Sequence, residues 1–395
     1  MNRPTLEVAD IFRAAGAQFL ERTSWHLAWL QHKVMRAIER CRTAALGGHR
    51  DQCLRCGHDF GLSYNSCRNR HCPKCQTHAR NQWIAARTRD LLPLGYFHVV
   101  FTVPHQLAAL MLQNKRLLYS LLFRVSAQVL MELAADPKHL GAEIGFLGVL
   151  HTWGQTLEHH PHIHYVVPEG GFAADRSRWI HPKYRFFLPV EALSEVFRGK
   201  FIDELKNLFR GHKLSFHGAL QSLAEPRAFA QYLRSLHRHK WVVYAKKPFG
   251  GPEHVLHYLA RYTHRVAISN HRLLSFEGGK VTFRWKDYAH GNKKRKMTLA
   301  AHEFIRRFLL HVLPRGFVRI RHFGWMANRC RTQRAAQCRA LLAAEAAQVT
   351  PPVATQAASP RPCPLCGGEL TVMETFTARQ LWHLSQSQTR DLDSS

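Results

Sequence analysis

The chain has 395 residues, 46% of them hydrophobic, which is enough to bury more than one core and leaves disorder only to short segments. Lysine and arginine number 56 against 27 acidic residues, an excess of +29 before any of the 28 histidines is protonated. Such an excess repels itself in a compact state and calls for a polyanion, with nucleic acid first because Lys and Arg release counterions from phosphates.

Membrane roles find no support. Arg3, Glu7, Asp10 and Arg13 interrupt the first twenty residues, so no signal-peptide core is present there. The most apolar stretch, 117–135, is broken by Arg124 and Glu132 and reads as an amphipathic core helix. A chain of this size without a leader belongs in the reducing cytoplasm, where clustered cysteines bind metal and do not form disulfides.

In chain order, residues 1–48 carry Ile11, Phe12, Phe19, Leu20, Leu27, Leu30, Val34 and Ile38 at helical spacing. Residues 49–80 are cysteine-rich and irregular, and 77–92 reads as a helix bearing Arg80, Arg87 and Arg89. The run 96–103 is β-rich and is closed by Pro104. A helical pattern follows to about residue 135. Strands are then expected at 146–156 and 162–167, joined through a turn containing Pro161. Another strand is expected at 185–188, helices at 191–210, 225–237 and 253–264, and a short strand at 241–245. A second hairpin, 273–276 with 281–285, surrounds Glu277-Gly278-Gly279-Lys280. Beyond residue 339 the chain turns Ala- and Pro-rich. Hairpins outnumber crossovers, so the expected class is α+β, with a central antiparallel sheet flanked by helices and a small N-terminal zinc module. The expected domains are 1–90, helical and zinc-binding; 91–325, catalytic; and 326–395, a helix, linker and polar tail.

Cys53-x2-Cys56-x15-Cys72-x2-Cys75 has the spacing of a four-cysteine structural zinc site, each CxxC turn aiming two thiolates at one ion. Cys67 and His71 lie inside the loop, as substitutes for one of the four or as bystanders. Cys363-Pro364-Leu365-Cys366 resembles half of a zinc ribbon whose partner pair is missing from the local sequence.

His162-Ile163-His164 places two imidazoles on one face of a strand with Ile163 turned to the core. A short turn through 157–161 would set Gln155 opposite His162, giving a His-His-Gln set for a divalent cation with a face open to a phosphate. His151 is the fallback donor in another register. Tyr258 and Tyr262 are four apart and share a face if helical. A phenol attacks phosphorus only where the phosphate is activated and charge is stabilised, which a metal with Arg261 or Arg265 would supply. Aromatic core packing explains the same spacing. Lys293-Lys294-Arg295-Lys296 reads as a basic loop near Trp285 and Tyr288, with Arg315, Arg319 and Arg321 as extensions of a strand-tracking surface.

Together these segments resemble the two-tyrosine, rolling-circle insertion-sequence transposases of the His-hydrophobe-His (HUH) class. The matching text is Tyr64 to Gln76 for the N-terminal zinc-binding domain and Phe101-Thr102-Val103-Pro104 for the first nuclease strand. His151 to Gln155 with His160 to His164 matches the metal hairpin, and Tyr258 to Asn270 the nucleophile helix. The resemblance covers roughly residues 45–330. It implies an HUH-like nuclease core, Mg²⁺ or Mn²⁺ on His162 and His164, and Tyr258 and Tyr262 as nucleophiles. It also implies single-stranded DNA with element-end hairpins as substrate, and action at the nucleoid. Cys363 and Cys366 fall outside it. A rolling-circle replication initiator or relaxase shares this chemistry, and a non-catalytic zinc protein that binds nucleic acid is the alternative from another class.

Overall fold

The computed structural model describes residues 4–23, 27–76, 82, 91–182, 188–246, 267–287, 290–346 and 362–390. It is built from helices α1 (Val8–Thr23) and α2 (Trp29–Arg40), then strands β1 (Gly48–Cys53), β2 (Asp59–Tyr64) and β3 (Tyr96–Thr102). Helices α3 (Ala108–Gln113) and α4 (Lys115–Ala135) lead to β4 (Gly145–Trp153) and β5 (His159–Pro168). A two-stranded pair, β6 (Gly171–Phe172) and β7 (Trp179–Ile180), precedes α5 (Val190–Arg210), α6 (Pro226–Arg238) and β8 (Val242–Lys246). After these come β9 (Leu273–Glu277), β10 (Lys280–Asp287), β11 (Lys293–Ala300), α7 (Ala301–Leu310), β12 (Ile320–Gly324), α8 (Arg331–Ala346), β13 (Leu370–Phe376) and α9 (Ala378–Arg390).

The centre is a five-stranded sheet in the order β12-β4-β5-β3-β8, antiparallel at every junction. The expected α+β class with a central antiparallel sheet is the one observed. Side chains alternate across it. Phe97, Val99 and Phe101 on β3, Phe146 and Leu150 on β4, and Ile163, Tyr165 and Val167 on β5 all enter one core. Helices α4, α5 and α6 close that core with Leu122, Phe123, Phe197, Phe201 and Phe229. Gly148 makes the fit possible, since a β-carbon there would lie 2.5 Å from the Tyr165 ring. The apolar helix Lys115–Ala135 has the length and composition of a membrane span, but its buried residues belong to this core.

A second core joins α1 and α2 to β9, β10 and α7, and includes Cys41, Cys72, Cys75 and Leu157. The N-terminal helices and the Cys72–Cys75 knuckle are thus packed on β9, β10 and α7, which lie in the chain between β8 and β12 of the central sheet. A third small sheet has the order β13-β1-β2. The segment read from sequence as a polar tail therefore contributes a strand and a helix to the N-terminal region. Most of the helix expected at 77–92, the strand at 185–188 and the helix at 253–264 lie outside the described residues.

Candidate functional site

The face of the central sheet away from the helices carries histidines. His151 on β4 and His162 on β5 are direct cross-strand partners, and His164 lies two residues further along β5. One ring nitrogen from each can be chosen so that all three lie within 4.8 Å of one another. Hydrogen bonds fix which nitrogens these are. His162 Nδ1 donates to the His160 carbonyl at 2.7 Å, so Nε2 carries the lone pair. His164 Nδ1 is 2.8 Å from His98 Nε2, so the atom His164 would offer a metal is Nε2. Burial holds the His162 imidazole down to about 3 and the His98 imidazole down to about 4, keeping both rings neutral at physiological pH. Trp153 stacks on His151, with ring centroids 4.6 Å apart.

This register corrects the expected ligand set. Gln155 does not face His162. The strands pair out to Trp153 and His159, with a shift between His151 and Trp153, and Gln155 lies in the connecting turn. The side chain opposite His162 is His151, and the register brings three imidazole nitrogens together.

The turn itself is clamped. Three successive carbonyls accept side chains from the second core: Gln155 from Arg272, Thr156 from Arg307 at 3.0 Å, and Leu157 from His311 Nε2 at 3.0 Å. Leu157 is buried with φ +65°, a left-handed conformation that a branched-chain residue adopts only when its surroundings impose it. His159 is a structural histidine, bonded to Tyr119 Oη at 2.7 Å and to the Ala108 carbonyl at 3.0 Å.

The four cysteines expected to share one ion are divided between two clusters. Cys72 and Cys75 stand with Cys41 and Cys67, while Cys53 and Cys56 stand with Cys363 and Cys366. The cause is the β1–β2 hairpin. Its base is closed by the Asn65 N–H on the Gly47 carbonyl, beside Cys41, and its tip carries Cys53 and Cys56. Six residues of strand separate base from tip by about 20 Å, so one ion cannot reach both. In the first cluster Cys75 Sγ is 3.5 Å from both Cys41 Sγ and Cys67 Sγ. Hydrogen bonds from Cys41, Cys67 and Cys72 hold the Cys75 thiol far below its usual range. The neighbouring residues tie this knuckle to the central sheet. Arg70 donates to the carbonyls of Phe317 and Pro314, and His71 Nε2 accepts the Leu313 N–H at 3.2 Å. Arg319 bonds Gln76, and its own carbonyl accepts the Leu150 N–H of β4 at 2.9 Å. His71 thus gives its Nε2 to the Leu313 N–H, and the cluster beside it is made of four cysteines.

Lys293, Lys294, Arg295 and Lys296 form no loop. They open β11, all four exposed, and pair with Asp287, Lys286, Trp285 and Arg284 of β10. Arg295 reaches Asp287 at 2.9 Å, whereas Lys294 stands opposite Lys286 and Lys296 opposite Arg284. Like charges directly opposed in a sheet destabilise it, and a bound polyanion relieves the repulsion. Arg315 is exposed, but Arg319 and Arg321 do not extend this surface. Arg319 is turned to Gln76, and the Arg321 guanidinium lies 4.4 Å over the Phe123 ring. Tyr258, Arg261, Tyr262 and Arg265 lie outside the described residues.

Sequence reasoning missed His98 as a partner and ranked His151 second. The available signal was His98 as the one strongly polar side chain within an otherwise apolar strand.

Comparison with known proteins places this arrangement. Residues 145–334 match a family model described as "Putative transposase", and residues 11–103 match one described as "Transposase zinc-binding domain". The "Putative transposase y4qJ" of Sinorhizobium fredii is 53% identical over 391 residues, covering 95% of this chain and 97% of that one. The "Transposase for insertion sequence element IS801" of Pseudomonas savastanoi pv. phaseolicola is 29% identical over 295 residues, covering 73% and 68%. No solved structure matches. The class is that of a transposase, an enzyme whose substrate is DNA. The chain belongs to the IS91-type family of insertion-sequence transposases, with a zinc-binding domain in its N-terminal region.

Proposed function

We propose that this transposase cuts and rejoins single-stranded DNA at element ends through a covalent 5′-phosphotyrosine, with a divalent cation held by His151, His162 and His164. The observation that carries the proposal is the convergence of three imidazole nitrogens within 4.8 Å on one face of the sheet. The donors fit a transition cation: three imidazole nitrogens suit Mn²⁺ better than Mg²⁺, which prefers oxygen ligands. When bound, the cation would polarise the scissile phosphate and orient it. The chain's own groups do the rest. A phenolic oxygen of Tyr258 or Tyr262 gives up its proton and attacks phosphorus, the bond from phosphorus to the 3′ oxygen breaks, and that oxygen takes up a proton to leave as a 3′ hydroxyl. Two phenols four residues apart would allow a second cleavage before the first strand is released. Arg261 and Arg265 would balance the charge of the attacked phosphate. Lys293, Lys294, Arg295 and Lys296 would track the backbone of the strand and of element-end hairpins. Cys41, Cys67, Cys72 and Cys75 would hold a structural zinc that stiffens the junction between the N-terminal helices and the catalytic sheet. The cytoplasm, at the nucleoid, is where these substrates lie.

The test is incubation of the full chain with single-stranded DNA spanning its own element ends, with and without Mn²⁺. A protein–DNA adduct should survive a denaturing gel, and Tyr258→Phe with Tyr262→Phe should abolish it. Cleavage that persists in the double variant without an adduct would mean that water is the nucleophile.

A further inference from the structure

The second cysteine cluster is a donor set separate from that of Cys41, Cys67, Cys72 and Cys75. Cys53 and Cys56 occupy the tip of the β1–β2 hairpin, and Cys363 and Cys366 the turn that enters β13. The four sulfurs lie within 4.8 Å of one another, with Cys53 to Cys366 at 3.5 Å and Cys56 to Cys363 at 3.8 Å. Four thiolates bound tetrahedrally to one zinc at about 2.3 Å must stand about 3.8 Å apart. The same spacing is nearly twice the length of a covalent sulfur–sulfur bond.

The two turns are copies of one another. Cys53-Leu54-Arg55-Cys56-Gly57 and Cys363-Pro364-Leu365-Cys366-Gly367 each end on a glycine in the left-handed region, at φ +68° and +73°. In each, that glycine N–H donates to the carbonyl of the first cysteine, at 3.0 and 2.8 Å. Each also turns a backbone N–H toward a thiol: Cys56 N to Cys53 Sγ at 3.5 Å, and Gly368 N to Cys366 Sγ at 3.4 Å. Such donors stabilise thiolate, the form that binds metal. Gly368 lets the turns meet, because a β-carbon there would lie 2.5 Å from Arg55 Cβ and 3.2 Å from Cys53 Sγ.

Apart from the β1 ladder, few buried side chains anchor the described part of the C-terminal segment. Strand β13 lies along β1 from Cys53↔Leu370 to Gly48↔Phe376, yet Val372 and Met373 remain exposed. Between residues 362 and 384, where side chains are described, the buried hydrophobic ones are Cys363 and Leu381. Burial on that scale does not offset the entropy of ordering a strand and a helix, whereas a structural zinc contributes folding free energy directly.

We propose that Cys53, Cys56, Cys363 and Cys366 bind a second structural zinc ion, a clasp joining two half-sites more than 300 residues apart in the chain. The matched zinc-binding region ends at residue 103, so half of these donors lie outside it.

The test uses the full chain, purified under reducing conditions and loaded with Co²⁺ in place of zinc. The tetrathiolate absorption should fall by half in Cys363→Ser with Cys366→Ser, and the zinc-loaded variant should hold one equivalent fewer. Independently, a specific protease site placed between Pro352 and Val353 is cut in both proteins. The released segment should stay with the body when its cysteines are native and separate when they are serine. Unchanged metal content and absorption in the double variant, or a cut segment that leaves regardless of its cysteines, would overturn the clasp.

Discussion

The two faces of the central sheet are drawn from the same strands and do different work. On β5, Ile163, Tyr165 and Val167 enter the helix-covered core, while His162 and His164 point the other way. On β3 the same division separates Phe97, Val99 and Phe101 from His98. Adjacent residues thus belong to separate energetic accounts, one set by apolar burial and the other by a cluster of imidazoles. Stability and chemistry should therefore respond to different substitutions one position apart.

The sharpest separation comes from His162→Ala with His164→Ala, which should lower DNA cleavage about 10⁴-fold through loss of the metal's charge stabilisation. The melting temperature in metal-free buffer should change little. A collapse of the fold in that variant would show that the faces are not independent. The converse is Phe101→Ala, which should cost about 3–5 kcal/mol in urea unfolding while cleavage per folded molecule is retained. Acidification probes the join between the two cores. Burial holds the His311 imidazole down to about 3 against an ordinary value of 6.5. Below 6.5 the unfolded chain takes up a proton that the folded one refuses. Stability is thus full above 6.5 and is lost as pH falls toward 3, by about 2 kcal/mol between pH 7 and 5 from this one ring. Calorimetry of the wild type across that range, compared with His311→Gln, isolates it. The smallest effect belongs to the basic strand. Lys294→Ala with Lys296→Ala should flatten the salt dependence of single-strand binding by about 1.4 in log–log slope, evenly across sequences.

Much of this was legible in the sequence, and the failures share a physical cause. Period-two spacing placed His162 and His164 on one face, and CxxC spacing identified the knuckles, because both are local rules. Which donors complete each set is not local. Sliding the β4–β5 register from Gln155 to His151 moves it by four residues, an even number, so no side chain changes face and alternation cannot tell the two apart. The shift between His151 and Trp153 and the clamped turn at Leu157 decide it. Cys72-x2-Cys75 and Cys53-x2-Cys56 are neighbours in sequence, yet a hairpin carries the second pair away, and its partners arrive from the far end of the chain. The run at Lys293 reads as a loop because four consecutive cations hide a strand whose partner, β10, supplies the pairing.

The most direct measurement is Mn²⁺ binding, by electron paramagnetic resonance, to the chain with its cysteine sites already filled with zinc. His151→Ala should weaken binding at least about tenfold while Gln155→Ala leaves it at the wild-type level. Weakened binding in Gln155→Ala with His151→Ala unaffected would contradict the three-imidazole site.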